Sequence, residues 1–233
     1  MADDLEARID PGQSNFIAIF GRKGSGKSVL AHRLWDTWPY DRLVIDPTGD
    51  VEVDEDTTAL TTPLPTRWPR RADSKRVSLR LVPNRLDPSY RDDLDRAVGL
   101  AFFHRRTLLW IDEVGELTRA NATPPHFDMA LHQGRHQALT LVMCGPRPIN
   151  VSPLVISQAD YVYVFELPNP VDRARVADNI GWEPKDFDAL VVNLPEHGYL
   201  RWDARQRVLD VFPPIPLHTG RPRRPPVEAE TAP

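Results

Sequence analysis

Residues 21–28 read Gly21-Arg22-Lys23-Gly24-Ser25-Gly26-Lys27-Ser28 and fit the pattern G-x-x-x-x-G-K-[ST]. The apolar run Phe16–Phe20 precedes this stretch, and a helical pattern with Leu30 and Leu34 on one face follows it. The glycines allow backbone angles that aim successive N–H groups at one point, so the stretch can surround an anionic phosphate. A strand, a glycine-rich loop and a helix in this order predict a phosphate-binding loop.

The side chains of this loop have expected partners in a nucleoside triphosphate. Lys27 is expected to reach the β and γ phosphates of ATP, and Ser28 to offer its hydroxyl to Mg²⁺. The N-terminus of the following helix adds a favourable dipole. The predicted nucleotide-binding residues are Gly21, Arg22, Lys23, Gly24, Ser25, Gly26, Lys27, Ser28 and Val29. The alternative is a flexible turn with a solvated lysine, which would carry all four fixed positions only by chance.

A second apolar run, Leu108–Ile111, ends in Asp112 and Glu113. Asp112 is therefore expected at the carboxyl edge of a buried strand, where ligands of open α/β sheets bind, as the Mg²⁺ ligand that acts with Ser28. Glu113 could orient and deprotonate a water for in-line attack on the γ-phosphate, which favours ATP hydrolysis over phosphate transfer to another acceptor. The alternative is an ordinary strand end that runs into a solvated turn.

Composition limits the class of protein. With 233 residues, 41% of them hydrophobic, the chain can bury one substantial core. A net charge of −4 argues against a protein that coats nucleic acid over its whole surface, although a local basic lining remains compatible. Cys144 is the only cysteine, which excludes an internal disulfide and favours a reducing compartment. Because no apolar run reaches the length of a bilayer span and the acidic start is no signal peptide, a soluble, cytoplasmic protein is expected.

The remaining elements alternate between strands and helices, which predicts an α/β fold with a mostly parallel sheet flanked by helices. Strands are predicted at Leu43–Ile45, Val77–Val82, Leu139–Met143 and Tyr161–Phe165, and a closing β-hairpin at Tyr199–Trp202 and Val208–Phe212. Helices are predicted after the cap Ser89, after Thr123 as far as Gly134, and after Asn169 as far as Gly181 with Val171, Ala174 and Ala177 inward. Between the strands at Ile45 and Val77 the chain is predicted to be a loop.

The predicted domain organisation has three parts. Residues 1–14 form an N-terminal segment, and residues 15–212 form one domain. In residues 213–233, 7 of 21 residues are proline, which predicts a disordered tail.

The order of these pieces resembles the FtsK–HerA superfamily of ring-forming, DNA-pumping ATPases over roughly Asn15–Phe212. Beyond the two motifs above, Leu43–Asp50 is similar to the Asp-Pro-x-Gly-acid segment of that family, and Gln133–Pro148 resembles another of its stretches. The resemblance implies a RecA-like P-loop NTPase fold. It also implies that Arg135 acts in catalysis by reaching into the nucleotide site of a neighbouring subunit. The alternative is an arginine that ends a helix at the surface.

One position departs from this family pattern. Aligning Arg147 and Pro148 with the Arg-Pro-like turn of the family puts Pro146 where a glutamine usually senses the γ-phosphate. Proline has no backbone N–H and no polar side chain, so sensing must pass to another residue such as Arg147 or Asn150, or coupling is altered.

The function predicted from these features is an ATP-driven ring, expected to have six subunits, that moves double-stranded DNA. The compact chain resembles viral genome-packaging ATPases, which implies work in the host cytoplasm or in association with the virion, with capsid vertex proteins as candidate partners. The alternatives are a related motor for phage assembly or plasmid DNA transfer, a P-loop kinase, and a nucleotide-dependent switch. Eight basic residues between Arg67 and Arg91, interspersed with Trp68 and Tyr90, could face DNA; a solvated charged loop explains them equally well.

Overall fold

The computed structural model describes residues 9, 11, 13–70, 76–120 and 122–216. In this part of the chain, nine strands form one sheet in the order β3-β4-β2-β5-β6-β1-β7-β8-β9. The strands are β1 Phe16–Phe20, β2 Arg42–Ile45, β3 Thr58–Leu60, β4 Ser78–Leu81, β5 Leu108–Ile111, β6 Thr140–Gly145, β7 Tyr161–Val164, β8 Tyr199–Asp203 and β9 Val208–Phe212. Most of the predicted N-terminal segment 1–14, and residues 217–233 of the predicted tail, lie outside the described residues.

Helices cover both faces of the sheet. They are α1 Lys27–Thr37, α2 Tyr90–His104, α3 Val114–Leu117, α4 Pro125–Gln133, α5 Pro153–Ser157, α6 Pro170–Ile180 and α7 Pro184–Val192. Successive strand residues point to opposite faces, so Ile17 and Ile19 of β1 pack with Leu34 of α1. Phe16, Ala18 and Phe20 belong to the larger cluster on the other face, which the remaining helices cover. None of the helices in the described part has the length and apolar character that a bilayer span requires.

The strands β1 to β7 pair in parallel, so their carboxyl ends meet at one edge of the sheet. Strand β6 lies between β1 and β5, which are therefore separated by two strand spacings, about 10 Å. The antiparallel hairpin β8–β9 extends the sheet beyond β7. The predicted α/β fold with a mostly parallel sheet and a C-terminal hairpin is confirmed.

Two local expectations are wrong, and a third is correct in position only. The segment predicted to be a loop contains strand β3, which pairs with β4. Val171 is exposed rather than inward, because Asp172, Arg173 and Val176 occupy the buried side of α6. Ser89 precedes α2 as predicted, but its hydroxyl donates to Asp87 and makes no capping bond to the helix.

Candidate active site

The phosphate-binding loop joins β1 to α1 and is pinned between two neighbouring strand ends. The N–H of Gly21 donates to the carbonyl of Gly145, which ends β6, at 3.3 Å, and the N–H of Arg22 donates to the carbonyl of Glu166 at 2.9 Å. A Cβ atom added at Gly21 would lie 2.6 Å from Ser25 Oγ. Gly26 has φ of 112°, a backbone conformation that favours glycine. Glycine is therefore required at two points for the backbone to close around a ligand.

The loop suits an anionic ligand. The hydroxyl of Ser25 is buried and has no hydrogen-bond partner among the described residues, and such a group normally has one. Lys27 donates from Nζ to the carbonyl of Arg22 at 2.9 Å, and burial lowers the pKa of Lys27. The first turn of α1 carries no acidic side chain, so nothing on the helix repels an anion at its N-terminus. These features fit the phosphates of a nucleotide.

Asp112 and Glu113 follow β5 at the same edge of the sheet. Burial, reinforced by the charge of Asp46, raises the pKa of Asp112 to about 6. Burial, reinforced by the charge of Asp112, raises the pKa of Glu113 to about 7. Both carboxylates also interact electrostatically with Lys27. The structure therefore brings the loop and the acidic pair together, as the sequence predicts.

Asp46 supports this arrangement from the end of β2. Its side chain is fully buried and accepts hydrogen bonds from the N–H of Gly49 at 2.8 Å and from Arg80 at 2.6 Å. Arg80 also donates to the carbonyl of Gly49 at 2.9 Å, so Arg80 fixes the loop that follows Asp46. Sequence reasoning identified the Asp46 segment but gave Arg80 no role, because 34 residues separate Arg80 from Asp46.

Glu116 anchors the short helix α3 that follows Glu113. Its carboxylate accepts hydrogen bonds from Tyr90 at 2.8 Å and Arg85 at 2.8 Å, and Arg91 lies 3.5 Å away. Burial alone would raise the pKa of Glu116, but the Tyr90 hydrogen bond and the charge of Arg85 outweigh it, so this pKa lies below its usual value. Sequence reasoning missed this cluster. The only feature of the sequence that pointed towards it was the basic stretch that contains Arg85 and Arg91.

Arg135 lies away from the phosphate loop of its own chain. It sits in the 3₁₀ turn Gly134–Gln137, which leads into the amino end of β6. Its guanidinium donates to both carboxylate oxygens of Asp160, at 2.8 and 2.9 Å, and to the carbonyl of Gln158 at 2.9 Å. The structure thus places Arg135 at the edge opposite to Lys27, in an intrachain ion pair.

The position of the usual sensor glutamine lies close to the phosphate loop. Pro146 follows directly on Gly145, the residue whose carbonyl binds the loop. Arg147 donates from Nε to Asp172 at 3.0 Å, and the N–H of Ile149 donates to the same carboxylate at 3.2 Å. Asn150, the other alternative, is exposed. Arg147 is therefore tied to the first turn of α6 at the carboxyl edge.

A parallel α/β sheet with a glycine-rich loop after β1 and an acidic pair after β5, two strands away, is the fold of a P-loop NTPase. Among solved structures, it is similar to the genome packaging NTPase B204 from Sulfolobus turreted icosahedral virus 2. The sulfate complex of B204 has a TM-score of 0.70 and 22% identity, and the match covers 90% of this chain and 100% of B204. The ATP-gammaS complex has a TM-score of 0.68 and 21% identity, and the match covers 89% of this chain and 100% of B204.

The fold is also similar to the pCW3 conjugation coupling protein TcpA bound to ATPgS. The TM-score is 0.53 at 14% identity, and the match covers 83% of this chain and 58% of TcpA. No protein-family model matches the sequence, and no curated protein matches it. These similarities confirm, at the level of the fold, the resemblance to compact viral packaging ATPases that the sequence indicated.

Proposed function

We propose that the chain is an Mg²⁺-dependent ATPase. The observation that carries this proposal is the convergence of Lys27, Asp112 and Glu113 at one edge of the sheet, with a single strand between the phosphate loop and the acidic pair. The separation of about 10 Å leaves room for phosphate oxygens, a metal ion and a water. The residues from Asn15 to Phe212 form the ATPase domain.

Each residue of the site has a distinct task. Lys27 and the N–H groups of the loop bind the β and γ phosphates, and Lys23 and Arg22 contribute their backbone. Ser28 and Asp112 would hold Mg²⁺, which would supply positive charge to offset the negative charge that develops on the phosphates. Glu113 orients a water and accepts its proton, a role that suits a carboxylate whose pKa is raised to about 7.

The wider proposal is a ring motor, expected to have six subunits, that translocates double-stranded DNA, with genome packaging in a host cytoplasm as its setting and capsid vertex proteins as partners. It is supported by the similarity over the whole length of B204, which is described as a genome packaging NTPase. TcpA is described as a conjugation coupling protein, which favours DNA transfer as the second candidate.

Steady-state ATP turnover with and without a random-sequence DNA duplex tests the proposal. We expect the duplex to stimulate turnover and Glu113→Gln to abolish it while ATP binding persists. Glu196→Gln is the matched control, because Glu196 has a 91% exposed side chain outside the site and its loss is expected to be silent. Transfer of labelled γ-phosphate to an acceptor other than water would favour a kinase. A low basal rate that DNA does not raise would favour a switch.

A further inference from the structure

A cleft lies at the amino edge of β2, β4 and β5, opposite to the candidate active site. It joins two cavities of about 790 and 550 Å³, which share Trp68, Arg70 and His104 in their walls. We call this region the basic cleft and define it by Arg67, Trp68, Arg70, Arg96, Arg105 and Arg106. The residues that define it come from three separate parts of the chain: the loop before β4, the helix α2 and the turn that joins α2 to β5.

The charge of the basic cleft is largely uncompensated. All five of its arginines are exposed, and no ion pair links Arg67, Arg70 or Arg105 to a carboxylate of the described residues. Among the residues that the structure describes, Asp41 is the only acidic one in the walls of the two cavities. Its carboxylate is already engaged by His104 at 2.6 Å and by the N–H of Val77 at 2.7 Å. The cleft therefore presents a concentrated positive charge in a chain whose net charge is −4.

Ring stacking and backbone hydrogen bonds hold the floor and the rim of the cleft in place. The rings of Trp68 and His104 are stacked with their centroids 4.4 Å apart and an interplanar angle of 4°. The N–H of Arg106 donates to the carbonyl of Gln137 at 2.9 Å, and the Thr107 hydroxyl donates to the carbonyl of Arg105 at 2.9 Å. These contacts hold two consecutive arginines at the rim.

The backbone of this rim gives an independent reason to assign it a ligand. Arg105 has φ of 69° and ψ of 158°, a region that is almost restricted to glycine, and Arg106 has φ of 52°. A turn selected only for its shape would carry glycine at Arg105. The presence of an exposed arginine there indicates that its guanidinium is needed. Strained backbone of this kind is typical of ligand-binding sites.

We propose that the basic cleft binds the sugar–phosphate backbone of double-stranded DNA without reading its sequence. Exposed, unpaired guanidinium groups bind phosphate oxygens through charge-assisted hydrogen bonds. Phe103, which is 67% exposed beside the arginines, offers an apolar surface for the sugars. This inference rests on the proposed DNA-dependent function and adds to it the surface that contacts the substrate.

The other occupant with suitable charge is an acidic segment of a second copy of the chain. In the most acidic stretch, Asp50–Asp56, two carboxylates have partners within the same chain. Asp54 is paired with Arg42, and Asp50 lies 3.9 Å from Lys23. The structure therefore favours DNA, and self-association becomes an outcome of the test.

Fluorescence anisotropy of a labelled random-sequence duplex with the full chain, measured between about 50 and 200 mM salt, tests this assignment. For Arg67→Gln/Arg70→Gln we expect affinity to fall about tenfold or more, and the slope of log K against log salt to fall by about two, one for each lost phosphate contact. Arg207→Gln, in the turn between β8 and β9, is the matched control and should change neither quantity. Unchanged DNA-free ATP turnover confirms that the variants are folded.

Arg105→Gly separates binding from structure, because it removes the guanidinium and relaxes the backbone. We expect weaker DNA binding together with a higher Tm. Equal DNA affinity of wild type and both variants overturns this assignment and leaves the ATPase proposal intact, whereas absence of duplex binding by the wild type overturns the DNA function as well. If the variants lose self-association in sedimentation while their DNA affinity stays unchanged, a second copy of the chain is the occupant, and the DNA assignment is again overturned.

Discussion

The two edges of the parallel sheet have opposite chemistry. At the carboxyl edge, Asp46, Asp112 and Glu113 are gathered around the phosphate loop, and burial raises the pKa of Asp112 and of Glu113. At the amino edge, Arg105 and Arg106 are exposed at a strained turn. The buried carboxylates of the carboxyl edge are therefore electrostatically unfavourable by themselves, and a bound metal ion would offset this unfavourable energy. The amino edge carries solvated positive charge, which is suited to a large polyanion.

The basic residues of the two edges also differ in how they are held. Lys27 is half-buried within the phosphate loop, and burial lowers its pKa. Arg135 is 41% exposed and is fixed by Asp160. Lys27, inside the phosphate loop, can bind a ligand of its own chain directly. Arg135, by contrast, must leave Asp160 before it can bind a nucleotide in a neighbouring subunit. The four predictions below test this contrast, from the largest expected effect to the smallest.

Removing the positive charge of the phosphate loop should have the largest effect. Lys27→Ala is expected to lower ATP turnover by about 100-fold or more, because it removes the half-buried charge that is proposed to bind the β and γ phosphates. Lys23→Ala in the same loop is the control. Its side chain is 97% exposed, so turnover should change little. Steady-state kinetics of both variants decide the point, and equal losses would show that the loop acts through its backbone alone.

At the opposite edge, Arg135→Ala should lower the free energy of unfolding by about 2 kcal/mol, because the buried carboxylate of Asp160 loses a guanidinium nitrogen that donates to both of its oxygens. Denaturant titration measures this effect. The proposed action across a subunit boundary has its own test, in which Arg135→Ala subunits are mixed with Glu113→Gln subunits. Partial recovery of turnover supports a shared site, and no recovery at any ratio removes that role.

Asp160→Asn provides the matched variant for Arg135. It weakens the intrachain pair but keeps the guanidinium. If Arg135 serves a neighbouring subunit, this variant should retain turnover while losing stability. If Arg135 is only structural, Arg135→Ala and Asp160→Asn should both lose stability, and any loss of turnover should follow the fraction of unfolded protein.

The buried negative charge of the carboxyl edge predicts a gain in stability for nucleotide-free Glu113→Gln. The pKa of Glu113 is raised from 4.5 to about 7, so above pH 7 the folded protein carries a carboxylate that the unfolded chain solvates better. We expect the variant to be more stable by about 1–2 kcal/mol at pH 8, after allowance for solvent screening. The gain should shrink as pH falls from 7 towards 4.5.

Thermal unfolding of metal-free protein across this pH range checks the sign. Glu196→Gln is the control, because this carboxylate is exposed and lies outside the site. A gain that is constant at all pH values would contradict an origin in the ionisation of Glu113.

The smallest effect is expected for the cluster that anchors α3. Tyr90→Phe removes the hydroxyl that donates to Glu116 and should lower the free energy of unfolding by about 1 kcal/mol. Because α3 begins directly after Glu113, we also expect kcat to fall more than the affinity for ATP. Tyr40→Phe is the control, since Tyr40 is partly exposed and lies in the wall of the basic cleft. A change confined to stability would limit Glu116 to a structural role.

Much of the carboxyl edge was predictable, because its parts are short contiguous motifs. The phosphate loop needs only residues 21–28 and the strand before it, and Asp112 and Glu113 are placed by the apolar run that they follow. The strand and helix pattern predicted the parallel sheet for the same reason. The errors at β3 and Val171 arose where a three-residue strand and the orientation of a helix face depend on neighbouring elements.

The sequence by itself determined the α/β fold and the carboxyl edge on which the phosphate loop and the acidic pair lie. The reason is that the periodicity of apolar residues and the local backbone preferences of glycine and proline fix where each strand ends. Only the tertiary structure decided that Arg80 binds Asp46, that Arg135 binds Asp160, and that distant arginines line one cleft. Arginine has a long side chain and five hydrogen-bond donors, so it can pair with many different carboxylates. The sequence alone therefore does not indicate which carboxylate each arginine binds. The packing of strands and helices leaves each arginine within reach of few partners.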